Sequence, residues 1–387
     1  MVKLMLDGLG GNCRGKKRAQ TRSNESAIEC FHVNAQLSSD LGNIGKFDFR
    51  KIFCLLRYCG EAIWCRFRYC ADTFYYIPAP PKRIAFYRDL LVLLLCRPFF
   101  RHIIFHWEAG GLGAWVRDCA SGWERWLAQR LLGSPTLSIT LAESLSHDAI
   151  YFKSKRIRVA PNGIPDPCPE FEVSVLPVRL ARLARRLQLL EQKTASTVGG
   201  DAYRVVFLAH CTREKGVFDA LSAVALANQK LEAQNPSARI TLTVAGAFLR
   251  EDERQEFDSW QREHPGIADY AGFLGAEAKQ QLLRESDCLC FPSYYPAEAQ
   301  PVSIVEAMAF GLAIVATNWR GISELLPENY LFLISDHNPS VIAQALIESM
   351  QADVAAELRL HYRTSLTAEV YVKNMSGAFQ SLRHIAS

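Results

Sequence analysis

Two short stretches in the second half of the chain carry charged residues at spacings that suit an anionic ligand. The first, His210-Cys-Thr-Arg-Glu-Lys215-Gly216, follows the apolar run Val205–Ala209. A lysine beside a glycine at a helix start neutralises a phosphate, and the backbone N–H groups there add further donors. Taken alone, a solvated charged turn explains these residues as well, and Arg213 and His210 gain meaning only beside a second stretch. That stretch, Pro292-Ser-Tyr-Tyr-Pro-Ala-Glu298-Ala-Gln-Pro301-Val-Ser-Ile-Val-Glu306, follows the run Cys288–Phe291. Pro301 suits the first turn of a helix, where a missing N–H costs nothing. Glu298 then sits just outside that helix, and Glu306 lies on it. The main chain from Ala299 through Gln300, Pro301 and Val302 to Ser303 opens the helix, and its unpaired N–H groups suit an anion. Two carboxylates beside an anion site serve hydroxyl groups, because an ionised carboxylate accepts several hydrogen bonds at once. A diphosphate bearing sugars at both ends satisfies every one of these groups. A surface carboxylate is the plainer account of Glu306 by itself; Glu298 and Lys215 in its company argue for a site.

Those loops need strands to aim them. In the second half the strand candidates are Val205–Ala209, Ile240–Ala245, Cys288–Phe291, Ala313–Ala316 and Leu331–Ile334, with helices Glu251–Glu263, Lys279–Ser286 and Val302–Phe310 between them. In the first half Ile28–Asn34, Thr73–Ile77, Arg101–His106, Leu137–Leu141 and Arg156–Ala160 read as strands. Phe49–Tyr69, Ile84–Cys96 and Trp123–Leu132 read as helices. Strands alternating with helices predict parallel βαβ units with both sheet faces covered. Val2–Leu6 is a candidate first strand in an otherwise irregular start of about 26 residues, with a polar basic tract over Arg14–Ser26. Near it, Gly10-x4-Gly15-Lys16 approaches a phosphate loop but has Lys17 where a magnesium-binding hydroxyl belongs. Gly8-x-Gly10-x-x-Cys13 likewise lacks the third glycine of the dinucleotide fingerprint.

Composition sets the outer bounds. The 387 residues are 49% hydrophobic and 22% charged, which excludes disorder and small stapled scaffolds. The net charge of +4 hides an asymmetry: residues 1–200 hold 29 Lys+Arg against 17 Asp+Glu, and residues 201–387 hold 15 against 23. Twelve cysteines without a Cys-x-x-Cys spacing read as reduced, buried thiols, and no metal-ligand spacing is present. The longest apolar run, Leu90–Cys96, has seven residues against the roughly 20 a spanning helix needs. Charged residues up to position 29 leave no apolar core for a signal peptide. These features predict a cytoplasmic protein. The basic tract lacks interleaved aromatics, so nucleic acid is not an expected partner. Leu180, Leu183, Leu187 and Leu190 share one face of a helix whose other faces carry Arg179, Arg182, Arg185 and Arg186. Such a helix either packs its leucines on protein or rests on an anionic membrane. Thr194–Gly200 then reads as a linker.

With these residues in view, the chain resembles the retaining glycosyltransferases of family 4, whose architecture is GT-B. Glu298 and Glu306 match that family's E-x7-E signature. Around them stand Gly272-Phe-Leu-Gly275, Asp287, Pro292-Ser293, Glu306-Ala-Met-Ala, Gly311, Ala316-Thr317, Gly321 and Glu324. Pro161-Asn162-Gly163-Ile164 resembles the turn that closes the family's first domain. The match is dense over residues 156–165 and 205–350 and thin before residue 100.

The resemblance implies an α/β fold of two doubly wound Rossmann-like domains facing a central cleft. An acceptor-side domain would span 1–170, a basic helix and linker 171–200, a donor domain 201–365, and a C-terminal helix 366–387 would pack back on the first domain. It implies transfer of a sugar from a nucleotide-diphosphate donor to a glycan or lipid-linked acceptor, with retention and without a metal or other cofactor. Glu298 would hold hydroxyls of the transferred sugar, Glu306 the ribose diol, and Lys215 the diphosphate. His210 stands where the family has an arginine, and Arg213 is the nearby cation. His106, ending an apolar strand before Gly110 and Gly111, matches a family histidine facing the reacting sugar, although a strand-end histidine is commonly structural. Gly10 and Gly11 would be the remnant of an acceptor-side glycine loop, and Asn162 and Gly163 would line the cleft. Apart from the resemblance, the basic helix and the positive first half leave a peripheral contact with an anionic membrane, on the inner face of the cytoplasmic membrane, as a further expectation. Two other classes stay open: a sugar-nucleotide epimerase or hydrolase on the same fold, and a sugar-binding relative with impaired turnover.

Overall fold

The computed structural model describes residues 1–14, 28–35, 49–192, 202–235 and 238–382. Most of the basic tract before residue 27 and the linker expected over Thr194–Gly200 lie outside the described residues. The chain divides into two compact units, residues 1–162 together with 369–387, and residues 163–368.

The first unit is built on four parallel strands in the order β1 (Thr73–Tyr76), β2 (His102–Trp107), β3 (Leu137–Thr140), β4 (Ile157–Val159). Successive side chains of β2 point to opposite faces, and both faces are covered. Ile103, Phe105 and Trp107 pack with α3 (Arg83–Cys96), α4 (Leu112–Cys119) and α5 (Gly122–Leu131). Ile104 instead packs with Leu137 and Ile139 against Met5 and the C-terminal helix α14 (Ala368–Gln380), through Tyr371 and Met375. A long helix, α2 (Phe49–Tyr69), lies on α3 through Leu55, Cys59, Val92 and Cys96.

The start of the chain departs from the expectation. Val2–Leu6 is not a strand but part of a helix, α1 (Val2–Gly8), with Met5 buried. Five residues, four of them apolar, fit either structure. The two glycines decide: Gly10 and Gly11 take φ of 102° and 82°, and the Gly11 N–H donates to Leu6 O at 2.7 Å, closing the helix end. They therefore terminate a helix and do not form a loop after a strand. Ile28–Asn34 also fails to form a strand. Among the described residues its pairing is one bridge, Cys30 with Asn12.

The second unit holds six parallel strands in the order β10 (Leu333–Ile334), β9 (Ala313–Thr317), β8 (Cys288–Phe291), β5 (Tyr203–Leu208), β6 (Ile240–Ala245), β7 (Ala268–Gly272). The chain begins in the middle at β5, winds outward to β7, returns beside β5 at β8, and winds the other way. That reversal opens a crevice at the carboxyl ends of β5 and β8, where doubly wound sheets bind their ligands. Cys288 and Cys290 on β8 are both fully buried although they share one side of the strand with neither Leu289 nor Phe291, which are buried as well. A central strand covered on both faces requires this.

The arginine-rich helix α7 (Leu176–Gln192) is fastened to this unit. The Arg179 guanidinium is buried and donates to the carbonyls of Phe310, Ser286 and Leu283 at 2.8, 2.6 and 3.0 Å. Burial lowers its pKa to about 10. Arg182 and Arg186 meet buried Asp287 at 3.6 and 3.3 Å. Of the two roles open to this helix, packing on protein is the one that uses these side chains.

Candidate functional site

The loops at the crevice of the second unit are locked to one another by their main chains. After β5 the chain makes a single 3-10 turn, Arg213–Lys215, and enters α8 (Val217–Gln234) through Gly216 at φ 83°. An added Cβ on Gly216 would lie 2.3 Å from Pro292 O, so only glycine lets the β5 loop touch the β8 loop here. Beside that contact Tyr294 N donates to Glu214 O at 2.9 Å. From the next strand, Thr317 Oγ1 donates to Ser293 O at 2.5 Å, and the Trp319 indole donates to Tyr295 O at 2.8 Å. The β5 loop is held from its other side as well. Cys211 N donates to Ala247 O at 2.9 Å, and Arg213 N donates to Glu253 Oε1 of α9 (Glu251–Glu263) at 2.8 Å.

This frame brings Lys215 and Glu298 together. Lys215 Nζ lies 2.7 Å from Glu298 Oε2, and the Ser293 hydroxyl donates to the same oxygen at 2.8 Å. The ammonium also sits 4.9 Å from the Tyr295 ring centre and 5.7 Å from that of Phe291. Glu298 is 6% exposed. A charged pair so shielded interacts more strongly than one in water, and so does any anion that replaces one member. Three residues beyond Glu298, Pro301 caps α11 (Val302–Ala309); Ile304 N donates to Pro301 O at 3.1 Å, and the N–H groups of Val302 and Ser303 precede that first bond. Gln300 is buried beside it, and Val302 begins the helix partly exposed.

Glu306 lies on α11 with its carboxylate partly exposed. Its Oε1 is 2.5 Å from Lys279 Nζ on α10 (Ala276–Glu285). Lys279 carries no signal in the sequence, standing in a helical run of ordinary surface composition, and neither does Ser293 as a partner of Glu298. The structure does not add Arg213 to the group. Its guanidinium pairs with Glu256 at 2.5 Å and lies over the Phe218 ring at 4.7 Å, turned toward α9. His210 is exposed, and its carbonyl accepts from Thr212 N.

In the first unit His106 is fully buried near the carboxyl end of β2. Its Nδ1 shares a hydrogen bond of 2.6 Å with the Tyr75 hydroxyl, and Nε2 is buried without a partner. Burial lowers its pKa to about 4, so the ring is neutral at pH 7. Glu108, two residues on, has its carboxyl pKa raised by burial. The glycines that follow His106 do not offer an anion site. Asp148 accepts from Gly111 N, Leu112 N and Gly113 N at 2.8, 3.1 and 2.7 Å and so caps α4. Asn162 is buried and ends the first unit, and Gly163 opens the second. A cavity of about 1200 Å³ in the first unit, walled by α2, β1 and Ile28–Val33, is lined by none of these site residues. Among the described residues, no three His, Cys, Asp or Glu side chains are placed to hold a metal ion, and no helix is long and apolar enough to cross a membrane.

Residues 190–365 match the family described as Glycosyl transferases group 1. Over 154 residues, 38% of this chain, the sequence is 26% identical to WcaL of Escherichia coli K12, a protein named for glycosyl transfer in colanic acid biosynthesis. The matched stretch spans 36% of that protein's own length. Among solved structures, HepE of Anabaena in complex with UDP and glucose is 17% identical with a TM-score of 0.59, covering 88% of this chain and 84% of HepE. A glycosyltransferase from Rickettsia africae is 12% identical with a TM-score of 0.62, covering 98% of this chain and 93% of its own. The fold is GT-B: two α/β units, each on a parallel sheet.

Proposed function

We propose that the chain is a nucleotide-sugar-dependent glycosyltransferase of the retaining family 4 type, acting on a glycan or lipid-linked acceptor. The observation that carries this reading is the Lys215–Glu298 ion pair, which joins the two loops at the switch point of a sheet lying within the group 1 match. In the reading, the donor diphosphate takes Lys215 Nζ from Glu298 and meets the N–H groups opening α11, which stabilise the charge that grows on the leaving group. Glu298, held by Ser293, turns its carboxylate to hydroxyls of the transferred sugar. Glu306 takes the ribose diol in exchange for its bond to Lys279.

Reaction then runs on one face of the sugar. The bond from the anomeric carbon to the diphosphate oxygen breaks, the acceptor oxygen bonds to that carbon, and its proton passes to the departing diphosphate. No carboxylate nucleophile and no metal is assigned. His106, in the first unit, is neutral at pH 7 with its buried Nε2 unpartnered; the reading rests on the residues of the second unit. The test is a thermal-shift screen of nucleotide sugars in EDTA, UDP-sugars first because HepE was solved with UDP. A ligand that binds only the folded protein raises its melting temperature. No shift from any donor sinks the reading.

A second reading, a donor-binding relative with impaired turnover, draws on one observation: Arg213 is engaged by Glu256, which leaves Lys215 as the cation drawn into the β8 loop. Donor shifts without product in the presence of candidate acceptors would favour it.

A further inference from the structure

Helices α2, α3 and α5 lie side by side in the first unit, with α3 between the other two. Their inward residues, among them Leu55, Leu93 and Ala128, close its core. Their outward faces should then be polar. They are not. Phe53 and Phe67 on α2 are 73% and 66% exposed, Trp123 and Trp126 on α5 are 60% and 69% exposed, and Trp64 and Leu94 add to the same faces. On α2 the exposed positions 53, 56, 60, 64 and 67 follow the helical repeat, so they form one stripe. Ring contacts carry the surface across the helices: Phe67 meets Phe99, in the 3-10 turn that follows α3, at 6.0 Å, and Tyr87 of α3 stacks on Trp123 at 6.2 Å.

The charge on this surface has one sign. Each of the three helices contains a single acidic residue. Asp89 and Glu124 are buried, and Glu61 is paired with Arg14 at 3.1 Å and Arg57 at 3.6 Å. Arg57, Arg68, Arg83 and Arg125 are exposed around the aromatic residues. The whole first unit holds 26 Lys+Arg against 14 Asp+Glu. Tryptophan and phenylalanine flanked by arginine is the composition of a surface that sits at a lipid headgroup layer. Exposed apolar area of this extent marks an interaction face.

We propose that the α2–α3–α5 face docks on an anionic membrane surface, with its aromatic side chains at headgroup depth and its arginines on lipid phosphates. Arg179, Arg182 and Arg186 of α7 are committed to protein carbonyls and Asp287 and take no part. The inference deepens the lipid-linked acceptor of the reading above, yet it stands on residues that share nothing with the donor site.

The test sediments the full chain with phosphatidylcholine vesicles, with and without phosphatidylglycerol. The protein pellets only with the anionic vesicles and less so in high salt. Arg57→Ala and Arg68→Ala each weaken binding about fivefold. Phe53→Ser/Phe67→Ser weakens it at least about tenfold. Melting curves matching wild type show that the variants fold. Donor binding, measured in parallel, separates the two proposals, since either can be lost with the other intact. Wild-type protein left in the supernatant with anionic vesicles at low salt overturns the inference, and so does equal pelleting by every variant. A wild-type dimer abolished by Phe53→Ser/Phe67→Ser also overturns it, because the face then belongs to a second copy.

Discussion

Gly216→Ala asks whether the two crevice loops are fixed against each other as described. The added methyl would stand 2.3 Å from Pro292 O and 2.8 Å from Pro292 C, where real contacts stay beyond 3.0 Å. The loops must separate by about 0.7 Å to admit it. At φ 83° the new side chain also sits in a left-handed conformation, which costs an L-residue roughly 1–2 kcal/mol. With about 1–3 kcal/mol for the forced overlap, the total is about 3 kcal/mol. For a unit of this size that corresponds to a melting temperature lower by about 6–12 °C. The functional cost adds to this, because Lys215 precedes Gly216 directly. A displacement approaching 1 Å at a positioned group weakens its action by up to about 100-fold, so donor affinity should fall at least about tenfold. Differential scanning fluorimetry with and without donor reads both effects. A variant that melts within about 2 °C of wild type and binds donor equally well would refute the claim that this contact locks the loops.

Three further outcomes follow from named contacts. His106 has its pKa lowered to about 4 from 6.5, so the unfolded chain binds the extra proton first as pH falls. Its contribution is complete above pH 6.5 and is lost as pH falls toward 4, about 3 kcal/mol in all; unfolding titrations of wild type and His106→Gln should converge in stability over that window. Arg179→Ala strips three buried carbonyls of their donor and should cost about 3 kcal/mol in denaturant unfolding; a loss below about 1 kcal/mol would mean those bonds matter little. Arg213→Ala should leave donor affinity within about twofold, since its guanidinium is held in an exposed pair with Glu256; a tenfold loss by calorimetry would put Arg213 back at the diphosphate.

Much of the second unit is legible in the sequence because its signals are local. Cys288–Phe291 is an uninterrupted apolar run, and Pro301 marks a helix start within one residue, so the loop that carries Glu298 is bounded on both sides. Ile240–Ala245 and Glu251–Glu263 fall where hydrophobic period and charge place them. The failures lie where the local sequence does not show the partner. Val2–Leu6 is short enough to be either helix or strand, and its helix buries Met5 beside Tyr371 and Met375, some 370 residues away. Ile28–Asn34 alternates like a strand, but among the described residues its pairing is the bridge at Cys30. β7 escapes notice as a short edge strand, with Asp269 and Ala271 exposed and Gly272 at its end. The arginines of α7 look like a solvated face until carbonyls more than 100 residues away are brought to Arg179. The bond between Lys279 and Glu306 spans only 27 residues, but it joins two helices whose contact no residue pattern marks. The Lys215–Glu298 pair was within reach of sequence reasoning because both loops follow recognisable strands, even though 83 residues separate them.

The central claim is that Lys215 and Glu298 form a donor site, Lys215 meeting the diphosphate and Glu298 the sugar. Calorimetric titration of wild type, Lys215→Ala and Glu298→Gln with a nucleotide sugar and with the bare nucleoside diphosphate tests it most directly. Lys215→Ala should weaken both ligands at least about tenfold, as loss of a charge-assisted bond does. Glu298→Gln should weaken the nucleotide sugar by a similar factor and spare the diphosphate, or even strengthen it by freeing Lys215. If both variants bind both ligands as wild type does, the ion pair is structural and the site lies elsewhere.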